Sequence, residues 1–161
     1  MKVSVFDPQS ILYSLISYED GYNELDKAKE ELNKELTDLA NTIRKSIEDV
    51  SSPLNKDDIF KQSKIKKITE KQAELKQKQE VSADGLKYKE HMLMQECSEI
   101  VSEIVNDFCK SNNIIMLLNQ SSVAYLDETA GSSITLDILK ILETKGLIND
   151  YGKQLIIKYE N

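Results

Sequence analysis

The sequence predicts an α+β fold, with a long antiparallel helical hairpin forming a coiled-coil arm on a small β-body. Three observations lead there. From Leu25 the apolar residues fall at Leu25, Ala28, Leu32, Leu36, Leu39, Ile43 and Ile47, alternating steps of three and four that mark a coiled-coil seam. Ser51-Ser52-Pro53-Leu54-Asn55 breaks this run, and a second follows with Ile65, Ile68, Leu75, Leu86, Leu93, Ile100, Ile104 and Phe108 on broadly similar spacing. Apolar strand-like stretches stand before the first run, at residues 3–6, and after the second, at 114–118 and 122–126. A narrow apolar stripe on each helix must be covered, and folding one run back on the other covers both.

Taken in order, Lys2-Val3-Ser4-Val5-Phe6 is a short strand ended by Asp7-Pro8. Pro8 suits a first helical position, because its missing N–H would be unpaired there anyway. Residues 9–16 then give a helical turn or two, and 17–21 loosen the pattern before the coil. The first long helix runs to about Val50. The second starts near Asn55, a good N-cap followed by Asp57 and Asp58, whose charge suits a helix N-terminus. It lasts to Ser111-Asn112-Asn113, with its weakest point at Ser82-Ala83-Asp84-Gly85 and with Gln72 and Gln79 at places where the seam wants aliphatic residues. Residues 133–142 form a closing amphipathic helix stopped by Gly146. In the tail, residues 154–159 read as a further strand. The expected organisation is a β-body and assembly region at 1–18 and 112–146, a hairpin arm at 19–111 turning near 51–55, and a tail at 147–161.

Composition sets bounds on function. A chain of 161 residues is one domain by size, yet it has 40% hydrophobic and 30% charged residues, three Phe and no Trp. Apolar residues strung along stripes do not make a large core alone, so an oligomer is expected. The net charge of −7 opposes general nucleic-acid binding, which wants a basic face. No apolar run approaches the roughly 20 residues that span a bilayer. Met1-Lys2-Val3 enters a strand pattern directly, so no signal peptide is expected in this sequence; the protein is cytosolic, or is a mature form with an added methionine.

Chemistry-bearing residues are sparse. Cys97 and Cys109 share one helical run, about 18 Å apart along its axis, and a disulfide needs Cα atoms within about 7 Å. An intrachain bridge is therefore excluded while the helix is intact; Cys97 reads as a small buried residue and Cys109 as a flank residue, with a bond between subunits as the alternative. His91, the single histidine, lacks metal-ligand spacing. No glycine-rich phosphate loop is present, and the seven tyrosines are scattered as packing or interface residues. No enzyme, metal or cofactor is expected. Between residues 56 and 80 eight lysines face five acids, a net of +3 that leaves −10 for the rest. That segment is either a solvated helix surface or a basic tip attracting acidic partners or anionic lipid.

The element order resembles the Skp/OmpH family of periplasmic chaperones. The resemblance is carried by Val3-Ser4-Val5-Phe6-Asp7-Pro8-Gln9-Ser10-Ile11-Leu12, by Ser122-Val123-Ala124-Tyr125 and by Ile134-Thr135-Leu136-Asp137-Ile138-Leu139, and it covers about residues 2 to 145. It implies a homotrimer whose strands form a central β-body, here with Val3, Val5, Ile115, Leu117, Val123 and Tyr125. Three arms would enclose a cavity that holds unfolded outer-membrane proteins without ATP. On the arm, Ile59, Phe60, Lys64, Ile65, Lys66, Lys67, Ile68 and Lys71 are the expected client-binding residues. The chain departs from the family in its acidity, its two cysteines and its tail from Leu147. The expected function is thus an ATP-independent holdase of the periplasm; the alternative is a cytosolic coiled-coil scaffold or prefoldin-like assembly. Prefoldin-like chains place strands between their helices, whereas here the strands flank the hairpin.

Overall fold

Alternating apolar residues make Lys2–Phe6 a strand, β1, and the apolar run Ile114–Asn119 makes another, β2. The computed structural model describes residues 2–52, 58–127 and 131–161. The two strands pair in parallel, with Val3 opposite Met116, Ser4 opposite Leu117 and Val5 opposite Leu118. Between them come three helices: α1 (Pro8–Tyr13), α2 (Ile16–Ser51) and α3 (Asp58–Ser111). The expected turn at Pro53-Leu54-Asn55, the Asn55 cap with Asp57, and Lys56 lie outside the described residues. Two further helices, α4 (Thr135–Thr144) and α5 (Asp150–Glu160), complete the chain.

Two of the short helices, α1 and α5, start on a polar side chain, whereas α4 has Ile134 at its N-cap and no side-chain cap. The Asp7 carboxylate accepts from the Ser10 N–H at 3.1 Å and from its hydroxyl at 2.6 Å, with Pro8 inside the first turn. The Asp7 N–H donates to Thr135 Oγ1 at 2.9 Å, joining the end of β1 to the start of α4. At the C-termini, Asn113 (φ 55°) follows α3 and Gly146 (φ 70°) follows α4, both in the left-handed conformation that ends helices.

Three expectations are corrected. Residues 122–126 form no strand: the Asn119 side chain accepts from the Ser121 N–H and hydroxyl, turning the chain into a 3₁₀ turn at Gln120–Ser122. The second edge of β1 is instead met by the segment before α4, where the Val5 N–H donates to Ser132 O and the Ile134 N–H donates to Val5 O. Residues 154–159 are helical within α5. The Asn149 side chain accepts from the Gly152 N–H at 2.9 Å and donates to Tyr13 O at 2.8 Å, so it caps α5 and fastens it to the end of α1. A short apolar run such as Leu155-Ile156-Ile157 suits a helix or a strand, and the cap decides. Residues 17–21 do not loosen the chain, since α2 begins at Ile16 and passes through Gly21, against whose Cα the Leu93 side chain packs.

The chain divides into two compact units, residues 1–23 with 91–161, and residues 24–90. The first holds a core in which Ile11, Leu15, Cys97, Ile138, Leu139 and Leu142 are fully buried. The second is a pair of antiparallel helix segments: Lys64 meets Asp49 at 3.6 Å, and fourteen residues on along α3 and fourteen back along α2, Lys78 meets Glu35 at 2.8 Å.

Two glycines inside helices give opposite expectations for one substitution. Gly85 faces open space, so Gly85→Ala gains the helix preference of alanine, about 0.5–1 kcal/mol. A Cβ on Gly152 would meet the Ile148 side chain and lie 2.7 Å from Ser14 Cβ, and overpacking costs about 1–3 kcal/mol. Urea unfolding should raise the midpoint for Gly85→Ala and lower it for Gly152→Ala; equal directions would contradict this packing.

Candidate functional site

The helix pair of residues 24–90 has an uneven seam. On α2 the covered positions are Leu25, Ala28, Leu32, Leu36, Leu39 and Ile43, as expected, but the stripe then moves to Ser46 and Val50 and leaves Ile47 exposed. On α3 they are Lys61, Lys64, Ile68, Lys71 and Leu75, then Ser82 and Leu86. Ile65 is therefore off the seam, 51% exposed, and Gln72 and Gln79 are exposed rather than diluting it. Ile65 and Ile68 stand three apart, so either could start a three-four alternation, and only the partner helix fixes which one does. The lysines that take the remaining seam positions lay their methylenes along it and keep their ammonium groups at its edge.

Of the eight residues expected to bind clients, the structure gathers five. Phe60, Lys64, Lys67, Ile68 and Lys71 line a small pocket of about 160 Å³ together with Ser46 and Ser63. Lys64 Nζ lies 4.7 Å from the Phe60 ring centroid while pairing with Asp49. Ile68, at 8% exposure, is a seam residue and offers no surface. Ile59 (80% exposed), Ile65, Lys66 and Lys67 are open to solvent, and Phe60 partly so. The Lys78 ammonium holds its proton more tightly than usual because it hydrogen-bonds to Glu35 and feels that carboxylate's charge.

The residues expected in the β-body differ in exposure. Val5 is buried, Val3, Leu117 and Val123 are half-buried, and Ile115 and Tyr125 are exposed, Tyr125 at 81%. Exposure continues on β2 at Met116 and Leu118. Within the described residues β2 pairs only with β1, so its other edge is unpartnered.

The tyrosines form a group that the sequence hides. Tyr13 and Tyr18 rings lie 5.2 Å apart, Tyr18 and Tyr22 rings 4.6 Å apart, and the Tyr151 ring lies 6.5 Å from Tyr13. The four-residue step from Tyr18 to Tyr22 is a helical-face signal; the junctions that add Tyr13 and Tyr151 are tertiary. Cys97 is fully buried with its sulfur 3.8 Å from Ser17 Oγ, Cys109 is half-buried, and both are free thiols. Burial raises the pKa of both.

A parallel strand pair whose crossover is an antiparallel helical hairpin defines the class, a protein made of a coiled-coil hairpin and a small strand-and-helix body. The chain belongs to the OmpH-like outer membrane protein family, which matches residues 2–142; α5 lies beyond that match. The fold is also that of a Caulobacter crescentus CB15 protein, described as an OmpH-like outer membrane chaperone, whose crystal structure superposes with a TM-score of 0.75 over 89% of this chain and 84% of that one, at 12% identity. No curated protein matches the sequence.

Burial raises the pKa of the Tyr18 and Tyr159 phenols as well as the two thiols. All four groups are neutral in the acid form, so the unfolded chain ionises first as pH rises. Their contribution to stability is complete below the unfolded thiol value, about 8.5, and is lost progressively above it and above about 10 for the phenols. The urea midpoint should be flat from neutral pH up to about 8 and fall beyond it. In the native protein Cys109 should react with a thiol reagent before Cys97, because the thiolate is the nucleophile and needs access. Equal labelling rates would contradict the burial of Cys97.

Proposed function

We propose that the protein is an ATP-independent holdase chaperone of the periplasm that binds unfolded outer-membrane proteins between the coiled-coil arms of a homotrimer. The observation that carries the reading is the exposed apolar set Ile59, Phe60 and Ile65, followed directly by Lys66 and Lys67 on one stretch of α3. A client held there exchanges weak apolar contacts, while the lysines act on approach. Family membership and the fold of the Caulobacter protein support a chaperone role rather than an enzymatic one. The same lysines would account for a peripheral contact with anionic lipid.

The decisive experiment is whether the purified chain keeps a urea-diluted β-barrel protein soluble without nucleotide. Surface charges set encounter rates more than final affinity, since exposed pairs are worth about 0–1 kcal/mol. Changing Lys66 and Lys67 to Gln should slow association with an acidic unfolded client at low salt and leave dissociation nearly unchanged. Changing Ile59 and Ile65 to Ser should speed dissociation, with helicity retained by circular dichroism. Wild-type association by the lysine variant would reduce the segment to a solvated helix face.

The assembly proposed is supported by the edge of β2 that has no partner among the described residues and by the exposed Ile115, Met116 and Leu118. Light scattering should give a trimer for the wild type. Ile115→Asp costs little on an exposed strand but much in an apolar interface, so it should give a folded monomer. A monomeric wild type would overturn the assembly.

A further inference from the structure

We propose that the tyrosine-lined groove in the unit formed by residues 1–23 and 91–161 docks a cationic segment of an extended polypeptide, with its arginine or lysine side chains lying against the tyrosine faces. The groove has a volume of about 480 Å³, with Tyr13, Tyr18 and Tyr22 in its wall together with Phe6, Met94 and Val101. That space admits more than one side chain. Its described lining residues carry no charge, so a visiting cation meets no fixed ammonium group there.

The chemistry selects the sign of the ligand. Aromatic faces are the negative part of the ring quadrupole and attract ammonium and guanidinium groups. Three rings are linked by centroid spacings of 5.2 and 4.6 Å, and Tyr13 keeps 38% exposure. The Gln9 amide donates to the Tyr13 hydroxyl at 2.6 Å, holding the outermost ring.

Charge on the surrounding unit is complementary. Residues 1–23 and 91–161 hold six lysines and thirteen acids, a net of −7, whereas residues 24–90 hold fourteen lysines and one arginine against fifteen acids, a net of zero. The whole excess negative charge of the chain therefore belongs to the unit with the groove. It raises the local concentration of cationic segments and disfavours acidic ones. An extended segment suits the site better than a compact ion, because the rings follow one another along α1 and the start of α2.

This inference stands apart from the holdase reading, and its test uses a short peptide that cannot aggregate. The full chain is titrated into a dye-labelled nonapeptide bearing three arginines spaced by glycine and serine, and binding is read by anisotropy. The counterparts replace arginine with glutamine or use an uncharged proline-rich sequence. The arginine peptide should bind at least about tenfold more tightly than either, and more weakly as salt rises from about 50 to about 500 mM. Tyr13→Leu and Tyr18→Leu keep net charge and apolar bulk but remove the π face, and each should weaken binding about fivefold or more. Tyr18→Phe keeps the ring and should stay within about twofold. In the wild type, ring resonances of selectively labelled tyrosine should shift on adding the arginine peptide, a readout that needs no variant. Equal binding by an uncharged peptide would make the groove merely apolar. Unchanged binding by folded leucine variants, or unshifted ring resonances, would place the cation elsewhere; either result overturns the proposal.

Discussion

The parallel pairing of β1 with β2 is the constraint on which the other elements depend. Parallel neighbours cannot be joined by a tight turn and need a long crossover. Here that crossover contains α1 and the two long helices α2 and α3. Val3 reaches its place opposite Met116 only because the chain goes out along one helix and returns along the other. The entropy of closing so long a connection grows only slowly with its length, and helices that lie against each other make the return path definite. The far edge of β1 takes up residues 132–134, and the Asp7 N–H reaches Thr135, so α1 and α4 both start from the end of this strand.

Polarity along the helix pair separates structural from available surface. Lysine at three of the α3 seam positions, with Ile68 between them and Leu75 next along the helix, gives a contact that buries little apolar area. Cross-helix pairs such as Lys78 with Glu35 fix register more than they add stability, because exposed ion pairs contribute little. Placing lysines on the seam leaves Ile59 and Ile65 on the outside, and that displacement is what makes the segment a candidate for weak apolar capture.

The last fifteen residues are as closely integrated as the rest of their unit. Asn149 bonds at once to the start of α5 and to the backbone at Tyr13 and Leu15, and Ile148 and Ile156 are buried. This attachment brings Tyr151 to Tyr13 and extends the aromatic group begun by Tyr18 and Tyr22. An element outside the family match thus sets its Tyr151 ring beside Tyr13, one of the groove's wall residues.

By itself the sequence determined the hairpin, the strand at Lys2–Phe6, the proline-led helix after it, the strand after the coil, and the helix stopped by Gly146. Those signals are local: periodicity over many residues, a proline, a cap, a left-handed glycine. Tertiary structure decided the rest. Residues 122–126 had strand composition, but a side-chain turn at Asn119 took the backbone first. The 154–159 run suited two structures until a cap at Asn149 chose one. The lysine-bearing seam of α3 could be settled only by the facing helix, because two apolar residues three apart satisfy two heptad registers equally well. The tyrosine group lay beyond any periodicity, since its members come from α1, α2 and α5 and meet only when those helices pack.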